Sequence, residues 1–369
     1  MDLEMQIEQL REQASDVGLF FPMLYDTDAL DTAAMLHGHS LSNRNVLLMQ
    51  PGGDATADGA PSDLTVERYA DAVRAKEYSI VVLEPAAIVK EARESEANLA
   101  FTAENEEPFR ALTEGIKAAS KEAHGFEPVI VLLIDHAGHH ALKPVAFDHS
   151  ASLPTDAPLL EDDALTPLLI ACSDAAKRAE KIGFTGIGLN AADRSLFGES
   201  LAAFHREGKF GGDFDDRTRF LRDCYTAMKM VVSDQMFFTI RLCLSDGIPQ
   251  PDGWGMAFED SSAPDLYEPA LLLKILRTLY QVEFVICTIG LPNINWMCES
   301  QPESDLIRYS RLCTCVAMLD SDLQQNVQLV LPELDTDDIP FANLASGMIA
   351  GEFASFGGFT GIETEKETE

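Results

Sequence analysis

Short apolar runs, each followed by a stretch of helical periodicity, recur along this chain, and that alternation restricts the folds open to it. The runs fall at 45–49, 79–83, 129–134, 186–189, 237–242, 283–288, 327–331 and 353–356. Their near-continuous hydrophobicity is that of strands buried on both faces. Between them, apolar residues repeat at helical spacing over 64–76, 105–123, 161–182, 215–232, 266–279, 303–319 and 337–349. Alternating units of this kind build a parallel sheet covered by its crossover helices. Eight of them predict an α/β fold of the (β/α)8 TIM-barrel type. No Gly-x-Gly-x-x-Gly follows the first run, which argues against an open dinucleotide-binding sheet. One further amphipathic helix is expected at 3–15, with Leu3, Ile7, Leu10 and Ala14 on one stripe. Residues 360–369 are too polar and too few for a closing helix. The expected organisation is an N-terminal helical extension (1–18), a single barrel (19–358) truncated after its eighth strand, and an acidic disordered tail (359–369). The uncovered eighth strand would need the 3–15 helix or a partner chain over it.

A chain of 369 residues suits one such barrel of about 250 residues with insertions. The formal charge of −34 argues against nucleic acid and anionic membrane as partners, since both would repel it. No apolar run is long enough for a membrane span. The acidic start, Met1-Asp2-Leu3-Glu4, does not read as a signal peptide. Seven scattered cysteines predict reduced thiols in the cytoplasm. Cys298, Cys313 and Cys315 form no C-x-x-C pair, so no iron–sulfur cluster is assigned. His136, His139 and His140 have a spacing that invites a metal, but they read as a loop, and no metal site is assigned.

The segment Phe210 to Phe220 reads F-G-G-D-F-D-D-R-T-R-F. It resembles the Y-G-G-S-x-E-N-R-x-R-F signature of the old yellow enzyme family, the FMN-dependent ene reductases and NADH:flavin oxidoreductases. Other pieces of the family pattern follow in order. They are Leu19-Phe20-Phe21-Pro22, Asn43-Arg44, Ala57-Asp58-Gly59-Ala60-Pro61, Tyr69 with Ala75, and Glu84. His136-x-Gly138, Gly183-Phe184-Thr185-Gly186 and Arg241-Leu242 complete the set. The resemblance spans roughly 19–358. It implies bound FMN, NAD(P)H and a small-molecule acceptor as partners, and hydride transfer to an activated alkene. Arg217 and Arg219 read as structural, ordering the long loop after the fourth strand.

The functional positions depart from the family one by one. The family's substrate-binding pair falls on Asn190 and Asp193, and its proton-donating Tyr on Ser195. An ionised Asp193 only accepts hydrogen bonds and opposes a developing enolate. Ser195 is a weaker and shorter acid than Tyr. The flavin-facing positions implied by the resemblance are Met49, Leu133, Arg241, Gly357 and Gly358. Leu133 replaces the family's Gln, and His139 an Arg. Pro332-Glu333 stand where a Gly-Gly pair would cradle the phosphate, and Gly357-Gly358 lack the family's cation. Three readings stay open. The first is a degenerate flavin oxidoreductase. The second is a non-catalytic binding or regulatory barrel, as a homo-oligomer or with an active paralogue. The third is a flavin-independent enzyme using strand-end carboxylates such as Asp193 or Asp246.

Overall fold

Side-chain alternation along the strands divides the interior into two layers. The computed structural model describes residues 3–19, 31–291, 296, 305–331 and 348–349. Helix α1 (Leu3–Asp16) is followed by a hairpin, β1 (Ala34–Leu36) with β2 (His39–Leu41), antiparallel. Then come β3 (Val46–Leu48), α2 (Asp63–Ala75), β4 (Ile80–Val82), β5 (Ala86–Ala87), α3 (Glu106–His124) and β6 (Val129–Asp135). Helix α4 (Asp162–Ile182), β7 (Gly186–Ala191), α5 (Leu196–Leu201), α6 (Phe214–Arg217), α7 (Arg219–Lys229) and β8 (Phe237–Cys243) follow. The chain continues through α8 (Tyr267–Tyr280), β9 (Val282–Thr288), α9 (Asp305–Met318), α10 (Ser321–Asn326), β10 (Gln328–Leu331) and β11 (Met348–Ile349).

Strands β3, β4, β6, β7, β8, β9 and β10 pair in parallel, each with the next in this order. This is the strand order of a TIM barrel. Inward residues Val46, Ile80, Val82, Val129, Val131, Leu133, Phe237, Phe284 and Ile286 pack into one cluster. Ala34, Leu36 and Leu41 of the hairpin join that cluster, so the hairpin plugs one end of the barrel. Outward residues such as Ile130, Leu132, Ile134, Ile187, Leu189, Ile240 and Val285 belong to the larger cluster shared with the helices. Helix α7 shows how a helix meets it. Phe220, Leu221, Cys224, Tyr225 and Met228 repeat on one face and are all buried. On β7 the crowding is extreme. A Cβ on Gly188 would lie 2.1 Å from the Thr239 carbonyl oxygen, so only glycine fits.

Several sequence expectations need correction. The hairpin at 34–41 was not foreseen, because its strands are only three residues long and the second, His39–Leu41, carries two polar residues. The single helix expected over 215–232 is two helices, broken at Thr218, and it ends at Lys229. Thr218 turns its hydroxyl back onto the Phe214 carbonyl at 2.8 Å. Met348 and Ile349, expected as the end of a helix, form a short strand antiparallel to β10. The rest of that helix, the run at 353–356, the tail, and Pro332, Glu333, Gly357 and Gly358 lie outside the described residues. Helix α1 packs against α9.

The glycine–arginine signature is a folding device. A Cβ on Gly211 would sit 2.3 Å from the Arg206 carbonyl, and Gly212 has φ +87°. Asp213 caps α6 by accepting from the Asp216 amide. Arg217 is 1% exposed. It donates to the carbonyls of Gly212 and Leu201 and to both oxygens of Glu268, with its guanidinium 3.7 Å from the centre of the Phe204 ring. Arg219 pairs with Asp216. Truncating Arg217 strands the Gly212 and Leu201 carbonyls and Glu268. Arg217→Ala should therefore lower the unfolding free energy by about 2–3 kcal/mol, since Glu268 is partly solvated and the loss is below that of a fully buried pair. Urea denaturation measures it, and a loss under about 0.5 kcal/mol, the range of ordinary surface changes, would contradict this account.

Candidate functional site

The strand alternation that fills the barrel with aliphatic side chains changes chemistry at its last layer. On β6 the inward residues run Val129, Val131, Leu133 and then Asp135. Register carries that layer sideways. Ile134 pairs with Leu189, so Asp135 stands beside Asn190; Asn190 pairs with Arg241, and Arg241 with Ile286. A row of carboxyl, amide and guanidinium groups thus crosses the C-terminal ends of three adjacent strands, where barrel enzymes place their sites.

The row opens into a cavity of about 540 Å³, within the range of small-molecule sites. Met49, Leu133, Asn190, Asp193, Ser195 and Arg241, all singled out in the sequence, line it together. His139 and His140 line it as well. The walls are otherwise largely aliphatic, including Leu48, Leu83, Leu153 and Leu291.

Arg241 is not free. One of its terminal nitrogens donates to the Asp193 carboxylate and, at 3.1 Å, to the Asn190 side-chain oxygen. Asp193 reaches it from a constrained turn. Asp193 and Arg194 have φ of 55° and 52°, left-handed at two successive non-glycine residues. Such geometry costs about 1–2 kcal/mol per residue and needs its surroundings to enforce it. Arg194 supplies one restraint, donating to buried Asp246 at 2.6 Å and to the Asp252 carbonyl at 2.7 Å. Asp246, a strand-end carboxylate noted in the sequence, is thereby structural. It also accepts from the amides of Ile248 and Trp254, and burial holds it above the ordinary carboxylate range. Trp254 is buried and donates to the Cys243 carbonyl.

Ser195 is committed to the backbone. Its hydroxyl donates to the Asn190 carbonyl and accepts from the Gly198 amide as the N-cap of α5. It therefore has no spare proton for a ligand. His136 is buried, its Nδ1 accepting from the Gly138 amide, and burial drives it down to about 4. His139 faces Glu199 at 3.8 Å, and neither facing atom has another partner. Among the described residues, no group of three or more His, Cys, Asp or Glu is placed to hold a metal ion.

Asp135 carried no assignment in the sequence, because it occupies the variable position of the His136-x-Gly138 pattern's approach. The signal for it is the parity of β6, in which every second residue from Val129 points inward. Its Oδ1 is buried without a hydrogen-bond partner. Burial pushes its carboxyl up to about 7. The His136 amide, Asn190 and Arg241 pull it down, and Asp193 pushes it up.

No family model matches the chain. Its sequence is 32% identical over 178 residues to an NADPH dehydrogenase of Bacillus pumilus, covering 45% of this chain and 49% of the relative. It is 25% identical over 177 residues to an NADPH dehydrogenase of Clostridium acetobutylicum, covering 45% and 50%. The chain thus spans about half the length of the curated relatives it matches. Among solved structures, the old yellow enzyme homologue of Zymomonas mobilis superposes with a TM-score of 0.62 at 19% identity, over 89% of this chain and 86% of that one. Morphinone reductase in complex with tetrahydroNAD gives 0.62 at 18%, over 89% and 84%. These likenesses bear out the barrel and a divergent resemblance to old yellow enzymes.

The residues present fit a flavin poorly. Leu133 offers no hydrogen bond to a ring edge, and Arg241 is already neutralised by Asp193. The phosphate-side positions lie outside the described residues.

The raised Asp135 has a consequence for stability. A carboxyl with a higher pKa folded than unfolded binds its proton more tightly in the native state. Folded-state stability then declines as pH rises from the unfolded value near 4 to the folded value of about 7. Asp135→Asn removes that penalty. The variant should match the parent near pH 4 and exceed it at pH 8 by on the order of 1–2 kcal/mol, the full shift being discounted for water in the cavity. Melting at the two pH values tests this, and equal stability at pH 8 would show that Asp135 is not desolvated.

Proposed function

We propose that this chain keeps the scaffold of an NADPH dehydrogenase-like oxidoreductase but no longer performs ordinary flavin-dependent ene reduction. The observation that carries the proposal is the Asp193–Arg241 pair at the cavity floor. A flavin ring in its family position draws on a free guanidinium, and here that charge is cancelled. A substrate oxygen that gains negative charge would also face the Asp193 carboxylate where the family presents hydrogen-bond donors. Ser195, bound to backbone at both its donor and acceptor sides, supports the reading further.

Several broader expectations belong to the same proposal. The chain is read as one barrel, 19–358, with a helical extension at 1–18. A nicotinamide nucleotide and a small acceptor are the partner classes suggested by the relatives. On this reading, any turnover of such a pair is slow. Placement in the cytoplasm is supported by free, buried Cys172, Cys224, Cys243, Cys287, Cys313 and Cys315. No described helix is long and apolar enough to cross a membrane.

The test is calorimetric titration of the apo protein with FMN, read together with flavin absorbance. Binding is expected to be absent or weaker than micromolar, and a sub-micromolar dissociation constant would overturn the proposal. If the protein is forced to carry FMN by high concentration, reduction of a simple cyclic enone by NADPH should remain about 10²–10⁴-fold below that of an ordinary ene reductase, the usual cost of losing a general acid. Comparable turnover would show that another group has taken over the tyrosine's role.

A further inference from the structure

We infer that the cavity at the barrel mouth binds an apolar organic cation, an amine carried on a hydrophobic body, with Asp135 as its anionic anchor. This goes beyond the loss of ene reduction and rests on that reading in one respect, that flavin does not fill the cavity.

The cations of the cavity are engaged, and one of its buried carboxyl oxygens is not. Its arginines are Arg93, Arg194 and Arg241. Arg93 spends its donors on the backbone carbonyls of Lys90, Glu96, Asn98 and Ala57. Arg194 is held by Asp246, and Arg241 by Asp193. An anionic ligand would have to break one of the latter two pairs or draw Arg93 away from its backbone carbonyls. Asp135 is the opposite case. The His136 amide and Asn190 support its carboxyl, but its buried Oδ1 has no hydrogen-bond partner, an arrangement that costs free energy until a donor arrives. A ligand ammonium group supplies both the donor and the charge.

The cavity that Asp135 lines is also lined by Leu48, Leu83, Leu133, Leu153 and Ile286, which suit a hydrophobic body rather than a hydrated ion. The formal charge of −34 also concentrates cations around the molecule and disfavours anions.

The pH behaviour follows from the neighbours of Asp135. Asn190 on β7 and Arg241 on β8 stand beside it, and Asp193 lies beyond them. His139 and His140 come from its own loop, and Glu94 from the segment after β5. Burial and His139 hold His140 below the usual imidazole value, against Glu94 and Glu199. Asp135, raised to about 7, ionises as pH passes through neutrality, while an alkylamine stays protonated. Amine affinity should therefore rise roughly tenfold from pH 6 to pH 8.

Three isosteres separate charge from shape: tryptamine, neutral tryptophol and anionic indole-3-acetate. In calorimetry on the flavin-free, full-length protein at pH 8, tryptamine should bind at least about tenfold more tightly than tryptophol, and indole-3-acetate most weakly. In Asp135→Asn the tryptamine advantage and its pH dependence should vanish, while tryptophol affinity stays within about twofold. Melting of the variant at pH 8 checks that it is folded. The pH profile of the unaltered protein is a second readout that needs no variant. Tryptophol binding as tightly as tryptamine, a preference that survives Asp135→Asn, or no heat from millimolar tryptamine would each overturn the inference. FMN uptake is read by its own absorbance, so failure of the earlier proposal and failure of this one are distinguishable.

Discussion

Parity along the strands is the constraint on which the rest of this molecule depends. A parallel strand buried on both faces cannot slip by one residue without sending its whole inward set outward. Here the inward set of β6 must be Val129, Val131 and Leu133, because these fill the barrel with Val82, Phe284 and Ile286. Once that is fixed, Asp135 has no choice of direction. Asn190 and Arg241 are locked into the same layer by the pairing of β7 and β8. The polar row is a by-product of packing the apolar layers beneath it, and this gives the row a rigidity that a loop-borne cluster would lack.

The same rule explains what the sequence made legible. Strand runs over 129–134 and 237–242 and the helical stretches 105–123 and 161–182 stand within a residue or two of β6, β8, α3 and α4. Burial on both faces leaves a strong apolar signature there. Hairpin β1–β2 was illegible, since His37, Gly38, His39 and Ser40 cut the apolar run short and only Ala34, Leu36 and Leu41 face the core. The break at Thr218 was hidden too, because a buried arginine and a hydroxyl decide it rather than periodicity. At the site, the family pattern led to Asn190, Asp193, Ser195, Leu133, Met49 and Arg241, and these do share one cavity. It passed over Asp135, since a pattern matched by position assigns nothing to its variable places. What Ser195 and Arg241 are bonded to was equally beyond the sequence, because the partner of Ser195 is the Asn190 carbonyl on β7 and those of Arg241 are the side chains of Asn190 and of Asp193 in the turn behind it.

Charge is distributed around the cavity with little slack. Arg68 bridges Asp54 and Glu84, and Glu84 accepts from the Gly52 amide. Burial raises Glu84 above the ordinary carboxylate range, against the pull of Arg68. In a chain with 61 acidic and 27 basic residues, cations are the scarce component. The arginines near the mouth are consumed by architecture, and acidity is what remains for chemistry.

The turn at Asp193 and Arg194 joins two ion pairs through one peptide link. Asp193 reaches forward to Arg241, and Arg194 reaches sideways to Asp246. Because both residues occupy the left-handed region, relaxing either one rotates the other's side chain away from its partner. The two pairs are therefore mechanically one latch. The turn that aims Asp193 at Arg241 is also the turn that aims Arg194 at Asp246 and at the Asp252 carbonyl, so the cavity wall and the loop that carries Trp254 share one anchor.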